Sequence, residues 1–275
     1  MKLDALFQQT QSLPTIPKVV QELIDTFNNE DVSIEEITRK LTADQVLSAK
    51  LLRLANSAYY HVSRTVGTVD DAVTMLGFVT VRTLVISTGL AGGFKGMPGV
   101  DLKQFWRHSL HTACAARFLA KAAGQNTELA FTAGLMHAIG ELVMHAVMPE
   151  QMLAIDKGAG LLDARRADIE HQTFGYCYAE VGAELARRWK FPPDFAAALS
   201  AVHSPLEVQP FNPMSGVIHV ASWRSRAEEN KLTAEELDAT WPGEVAAKAG
   251  LDRGTVLQQM PSLAELSAGL EDLVS

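Results

Sequence analysis

Cysteine, aromatic side chains and positive charge are all in short supply in this 275-residue chain. Its two cysteines, Cys114 and Cys177, stand in apolar or aromatic company, which excludes a disulfide framework and fits buried thiols in a reducing compartment. Lysine and arginine number 24 against 32 aspartates and glutamates, a formal net charge of −8, the opposite of what a general nucleic-acid binder needs. The small basic groups at Arg165-Arg166, Arg187-Arg188 and Arg224/Arg226 read as solvated helix faces. No uninterrupted apolar run approaches the roughly 18 residues of a membrane span. No basic-then-apolar leader opens the chain, so a cytoplasmic protein is expected. Internal repeats, low-complexity tracts and the period-2 alternation of half-buried strands are also missing. So are a nucleophile elbow, a phosphate-cradling glycine loop and a convergent carboxylate pair. What remains is an all-α fold without a ready-made catalytic site or a cofactor motif.

The most apolar stretch is Ala133–Met144, AGLMHAIGELVM, interrupted only by His137 and Glu141 with Gly140 between them. A helix this apolar on nearly every side belongs in a core. A histidine there needs a partner, since an unpaired buried polar group costs about 1–3 kcal/mol. A metal or a backbone carbonyl would serve. The next residue, Ala138, can neither bind a metal nor accept a hydrogen bond.

The pattern from Thr127 through His145 predicts one long helix ending before Pro149. Thr42 with Gln45 and Ser33 with Glu36 have the spacing of capping boxes, as do Asp101 with Gln104, Thr233 with Glu236, and Ser262 with Glu265. Gly92-Gly93, Gly96, Pro98 and Gly99 form the strongest internal boundary. It separates a small N-terminal helical lobe, residues 1–100, from a larger helical lobe, 101–229. Residues 230–275 are more polar and broken by Pro242, Gly243, Gly250 and Pro261, which predicts a small helical appendage.

The eight histidines raise the question of a metal. His108 and His111 share a helix face, His137 lies on the next long helix, and His203 and His219 come from later ones. Three imidazoles could meet, but a hydrolytic centre also wants carboxylates to offset the dication and orient its water, and none stands where it matters.

The segments LPTIPKVVQELI, LTADQVLSAKLLRLANSAYY, DDAVTMLGFVTVRTLVI, FWRHSLHTA, AFTAGLMHAIGELV and FGYCYAEVGAELARRWKFP, in this order from about Leu13 to about Trp223, resemble the HDOD family. These are bacterial signalling modules related to HD-domain phosphohydrolases. The resemblance implies a small N-terminal bundle set against an HD-like lobe. It also implies ligand positions, since catalytic HD proteins bind metal through an early histidine, an adjacent His-Asp pair and a later aspartate. On this chain His108 takes the first position and His137 the pair's histidine, while the pair's aspartate is replaced by Ala138. An extra histidine of many relatives falls on Tyr178, a later His-His pair on Val202 and His203, and the final aspartate on Ser222.

With both carboxylates gone, the remnant positions His108, His137 and His203 are neutral ligands only, so neither a bound metal nor a catalytic residue is expected. The expected function is a non-catalytic regulatory module acting through protein–protein contacts. Its expected partners are signalling proteins in trans, components of two-component or cyclic-dinucleotide pathways, with no nucleic acid and no membrane. Arg53, Asn56, Ser57 and Tyr60 cluster at the end of the LLRLANSAYY helix and form a candidate interaction surface. The alternative role for Asn56 and Ser57 is to cap that helix. The rival functions are a divergent metal-dependent phosphohydrolase and a small-molecule or nucleotide sensor using the old cavity.

Overall fold

The computed structural model describes residues 2–8, 18–25, 34–57, 65–94, 96–97 and 99–271, and among these there is no strand. The N-terminal helices are α1 (Leu3–Leu6), α2 (Lys18–Asp25), α3 (Ile34–Ala43), α4 (Gln45–Ala55), α5 (Val69–Leu76) and α6 (Phe78–Gly93). After them come α7 (Leu102–Ala122), α8 (Thr127–Met136), α9 (Ile139–Val147), α10 (Pro149–Asp156), α11 (Arg166–Phe174), α12 (Tyr178–Arg188), α13 (Pro193–Ser200) and α14 (Pro213–Glu229). Then come α15 (Ala234–Thr240), α16 (Gly243–Lys248), a π-helical turn at Thr255–Gln259 and α17 (Leu263–Ser267).

Side-chain caps begin many of these helices. Asp101 accepts the Gln104 N–H at 3.0 Å, and the Thr233/Glu236 and Ser262/Glu265 boxes both close reciprocally. The start expected at Thr42 is displaced. α3 runs through Thr42, and Asp44 caps α4 by accepting the Val46 and Leu47 N–H groups at 3.0 Å each. A carboxylate on a short stem wins this position, and the Thr42 hydroxyl donates to the Thr38 carbonyl at 2.8 Å instead. Ser33 lies outside the described residues.

The single helix expected from Thr127 to His145 is broken in two. His137 Nδ1 donates to the Gly134 carbonyl at 2.7 Å, so a side chain takes a carbonyl of its own helix. Ala138 departs to φ −109°, ψ 10°, and α9 begins after it at Ile139. By length and hydropathy Thr127–Val147 could cross a membrane, but 89% of its most apolar 18-residue window is buried inside the protein. It is the core element, with α7, α12 and α14 packed around it.

Two glycines allow the close crossings. At Gly134 an added Cβ would sit 2.8 Å from the Ala113 Cα on α7, and at Gly140 it would overlap the Tyr178 carbonyl and lie 2.8 Å from the Gly182 nitrogen on α12. One continuous buried cluster runs from Leu6 to Leu270, so all three segments of the chain share a core. The early helices are tied on by Gln21 Nε2, which donates to the Trp189 carbonyl at 3.2 Å, and by the Arg188 guanidinium, 4.6 Å over the Phe7 ring. α16 packs on α14 and α17 on α7.

Candidate functional site

His108 comes from the middle of α7, and His137 from the break between α8 and α9. Their rings meet edge to face with centroids 5.1 Å apart. Because His137 Nδ1 donates to a carbonyl, its Nε2 carries the lone pair, and that nitrogen accepts a hydrogen bond from the Ser222 hydroxyl at 3.2 Å. Ser225, one turn on along α14, donates to the His108 carbonyl at 3.2 Å and accepts from His108 Nδ1 at 2.8 Å. The His108 Nε2 lone pair is left as an acceptor. Burial pushes the His137 pKa down to about 4, with Arg226 adding to the effect. Burial, then the neighbouring His137 and Arg226, hold His108 well below the usual imidazole range. Both rings are therefore neutral at neutral pH.

The cleft beside them is lined by Ala138, Glu141, Asp163, Tyr178, Ser222 and Arg226 among others. Its two carboxylates are committed elsewhere. Asp163 accepts both prongs of the Arg165 guanidinium, at 3.0 and 2.7 Å, which pulls its pKa to about 2. Glu141 accepts from Arg166 Nε at 2.9 Å. Arg226 has no carboxylate partner among the described residues, so it brings an uncompensated positive charge to the cleft. A dication here would meet two neutral imidazoles, one already hydrogen-bonded by a serine, no free carboxylate, and a guanidinium of its own sign. This donor set does not fit a dinuclear metal centre.

Behind the cleft lies an ionic cluster that sequence reasoning misread. Arg166, expected on a solvated face, is 1% exposed. Its guanidinium also donates to Glu170 at 3.0 Å, to Asp156 at 2.7 Å and to the Ala159 carbonyl at 2.7 Å. Asp156 in turn pairs with His145 Nε2 at 3.0 Å, and Glu170 accepts the Tyr178 N–H at 2.8 Å. Burial, followed by the Glu170 charge, raises the Glu141 pKa well above the carboxylate range; burial raises Glu170 too. Glu141, alone in an apolar helix, was the available signal: a carboxylate there requires a buried cation, and Arg166 supplies it.

Other expected site residues fall in different places. Tyr178 lines the cleft, whereas His203 does not. It sits in the turn after α13 and bonds Asp168 on α11 at 2.9 Å, so the three-histidine convergence reduces to two. Arg53 and Asn56 are exposed at the end of α4, and Ser57 is half-buried. Asn56 is committed to its own chain: it donates to the Leu52 and Val66 carbonyls and accepts the Val66 N–H, all within 2.9 Å. It therefore caps the helix and ties its end to Val66 rather than presenting a free amide. Tyr60 lies outside the described residues. Both cysteines are buried, and burial pushes each thiol up to about 12.

A sequence profile of the HDOD domain matches residues 13–205. A solved structure from Shewanella amazonensis SB2B, bearing the name "putative phosphohydrolase", is 34% identical with 98% of each chain covered and a TM-score of 0.80. A Marinobacter aquaeolei VT8 protein named for signal transduction shares the fold at 24% identity and TM-score 0.72, covering 98% of this chain and 59% of its own. A Treponema pallidum (strain Nichols) protein without a described function is 25% identical over 85% of this chain, which spans only 46% of that relative.

Proposed function

This chain belongs to the HDOD family, and from that premise we propose that it is a non-catalytic regulatory module of signal transduction, acting in the cytoplasm by binding other proteins. The observation that carries this reading is the Ser222 hydroxyl on His137 Nε2, beside Ala138. The nitrogen that would face a metal is used inside the protein, and the neighbouring position offers only a methyl group. Without a dication there is nothing to generate hydroxide or to offset charge building on a phosphoryl oxygen. The signal-transduction name of the Marinobacter relative agrees with this role. The name of the Shewanella relative would carry phosphohydrolysis to the chain, and the cleft residues argue against that second reading.

A turnover assay decides between the two. With manganese, iron(II) or zinc added, hydrolysis of bis(p-nitrophenyl) phosphate and of p-nitrophenyl phosphate should equal the protein-free rate. Hydrolysis that disappears in His137→Ala would establish the enzyme. Placing a lone carboxylate in this wall by Ala138→Asp should raise its pKa and lower stability by about 1–3 kcal/mol in denaturant titration, with no gain of turnover. An unchanged stability would mean that the position is wet and open.

Arg53 remains the described residue of the candidate docking face that is exposed and charged. Affinity capture from the native host should yield proteins with the wild type that Arg53→Glu fails to retain. Identical captures would remove this face from the account.

A further inference from the structure

Next to the cleft beside the histidine pair lies a groove of about 540 Å³, within the range of small-molecule sites. Inner cleft and outer groove share Leu161, Asp163, Ala164 and Arg226, so they adjoin across these residues. The outer part adds apolar wall from Leu162, Trp223 and Leu232, with Gln104 and Asn230 at its polar edge. Trp223 is held in that wall by its indole N–H, which donates to Thr240 at 3.1 Å.

Charge along the two is one-sided. Of their acidic groups, Asp163 is saturated by Arg165 and Glu141 by Arg166. Arg226 is the one cation lining either part among the described residues, and it lacks a carboxylate partner there. An unpaired guanidinium is uncommon in a chain with eight more acids than bases. Ser222 and Arg226 are four residues apart on α14, so they share a helix face, and the arginine stands one turn from the hydroxyl that bonds His137.

We propose that this groove binds a small organic anion, its carboxylate or phosphate head on Arg226 and its apolar body along Leu161, Leu162 and Trp223. A guanidinium fork matches both heads bidentately. The proposal builds on the non-catalytic reading, since a resident dication would itself claim the anion, and it gives the module a chemical input.

Phenyl phosphate, phenylacetate and benzyl alcohol separate the terms when titrated by calorimetry and followed by the tryptophan indole resonances. Both anions should bind at least tenfold more tightly than the neutral alcohol and shift the Trp223 indole signal. Arg226→Gln should lose that advantage about tenfold or more, while the remote, exposed Arg187→Gln should not. The relative affinities of the two anions tell which head the site takes. Anions binding no better than the alcohol, an unmoved Trp223 signal, or an unaffected folded Arg226→Gln would overturn the proposal. If Arg226→Gln does not fold, the anion preference and Trp223 shift in the wild type decide alone. Phosphate released from phenyl phosphate would defeat the non-catalytic reading but leave binding standing, so the two claims fail separately.

Discussion

Gly140→Ala should destabilise the protein by about 3 kcal/mol, enough to lower the melting temperature by roughly 10 °C, although it adds one methyl group. The new Cβ would overlap the Tyr178 carbonyl oxygen and approach the Gly182 nitrogen to 2.8 Å. Both obstacles are backbone, so no rotamer change relieves them, and α9 must move off α12. That movement reaches the site, because Tyr178 and Gly140 lie within reach of the cleft and the His137 break. Gly182→Ala is a useful contrast: its Cβ would meet Ile139 Cγ2 at 3.4 Å and the Gly140 nitrogen at 3.5 Å, so its effect should be clearly smaller. Equal stability losses in the two variants would show that the crossing is looser than described.

Arg166→Met should cost about 3–5 kcal/mol, because it strands buried carboxylates without their cation. Glu141 and Glu170 are 2% and 0% exposed, and Asp156 is left with His145 alone. The pH dependence follows from the direction of the shifts. Burial holds Glu141 and Glu170 above the ordinary carboxylate pKa, so the folded state keeps protons that the unfolded chain has released. Stability from these groups is fully present below the ordinary value and is lost as pH rises through the raised folded values. Arg166 limits that loss in the wild type. Without it both values climb further, and the deficit should be larger at about pH 8 than at about pH 5. Adding Glu141→Gln to Arg166→Met should recover part of the stability, since one stranded charge is removed. A deficit that does not vary with pH would contradict the ionic account of this cluster.

Much of the fold is legible in local signals. The boxes at Thr233 and Ser262 and the cap at Asp101 need only side chains and backbone three residues apart, and the helices start there. The misplaced start at Thr42 shows the limit of a spacing rule when a stronger acceptor, Asp44, stands two residues later. The break at His137 was hidden for a different reason. Hydrophobic period continues across it, and the competing bond from Nδ1 to the Gly134 carbonyl leaves no mark on that period. The family resemblance pointed to Ser222, which bonds His137 from 85 positions away along the chain. Arg166 and Arg226 look alike in sequence, each beside or near another arginine. One is sealed in an ionic cluster and the other lines a groove without a carboxylate, a difference set by which helix faces each. His203 sits near the right helix but turns to Asp168 instead.

The central claim, that the histidine pair no longer forms a metal centre, is most directly tested by the metal content of protein purified without added metal. One other group of ligand-type side chains exists among the described residues, His171, Cys177 and Glu180, so the measurement includes His137→Ala and Cys177→Ser beside the wild type. The account predicts that manganese, iron and zinc lie well below one ion per chain, or that any zinc found survives His137→Ala and is lost with Cys177→Ser. Stoichiometric metal that disappears in His137→Ala, and is retained in Cys177→Ser, would contradict it.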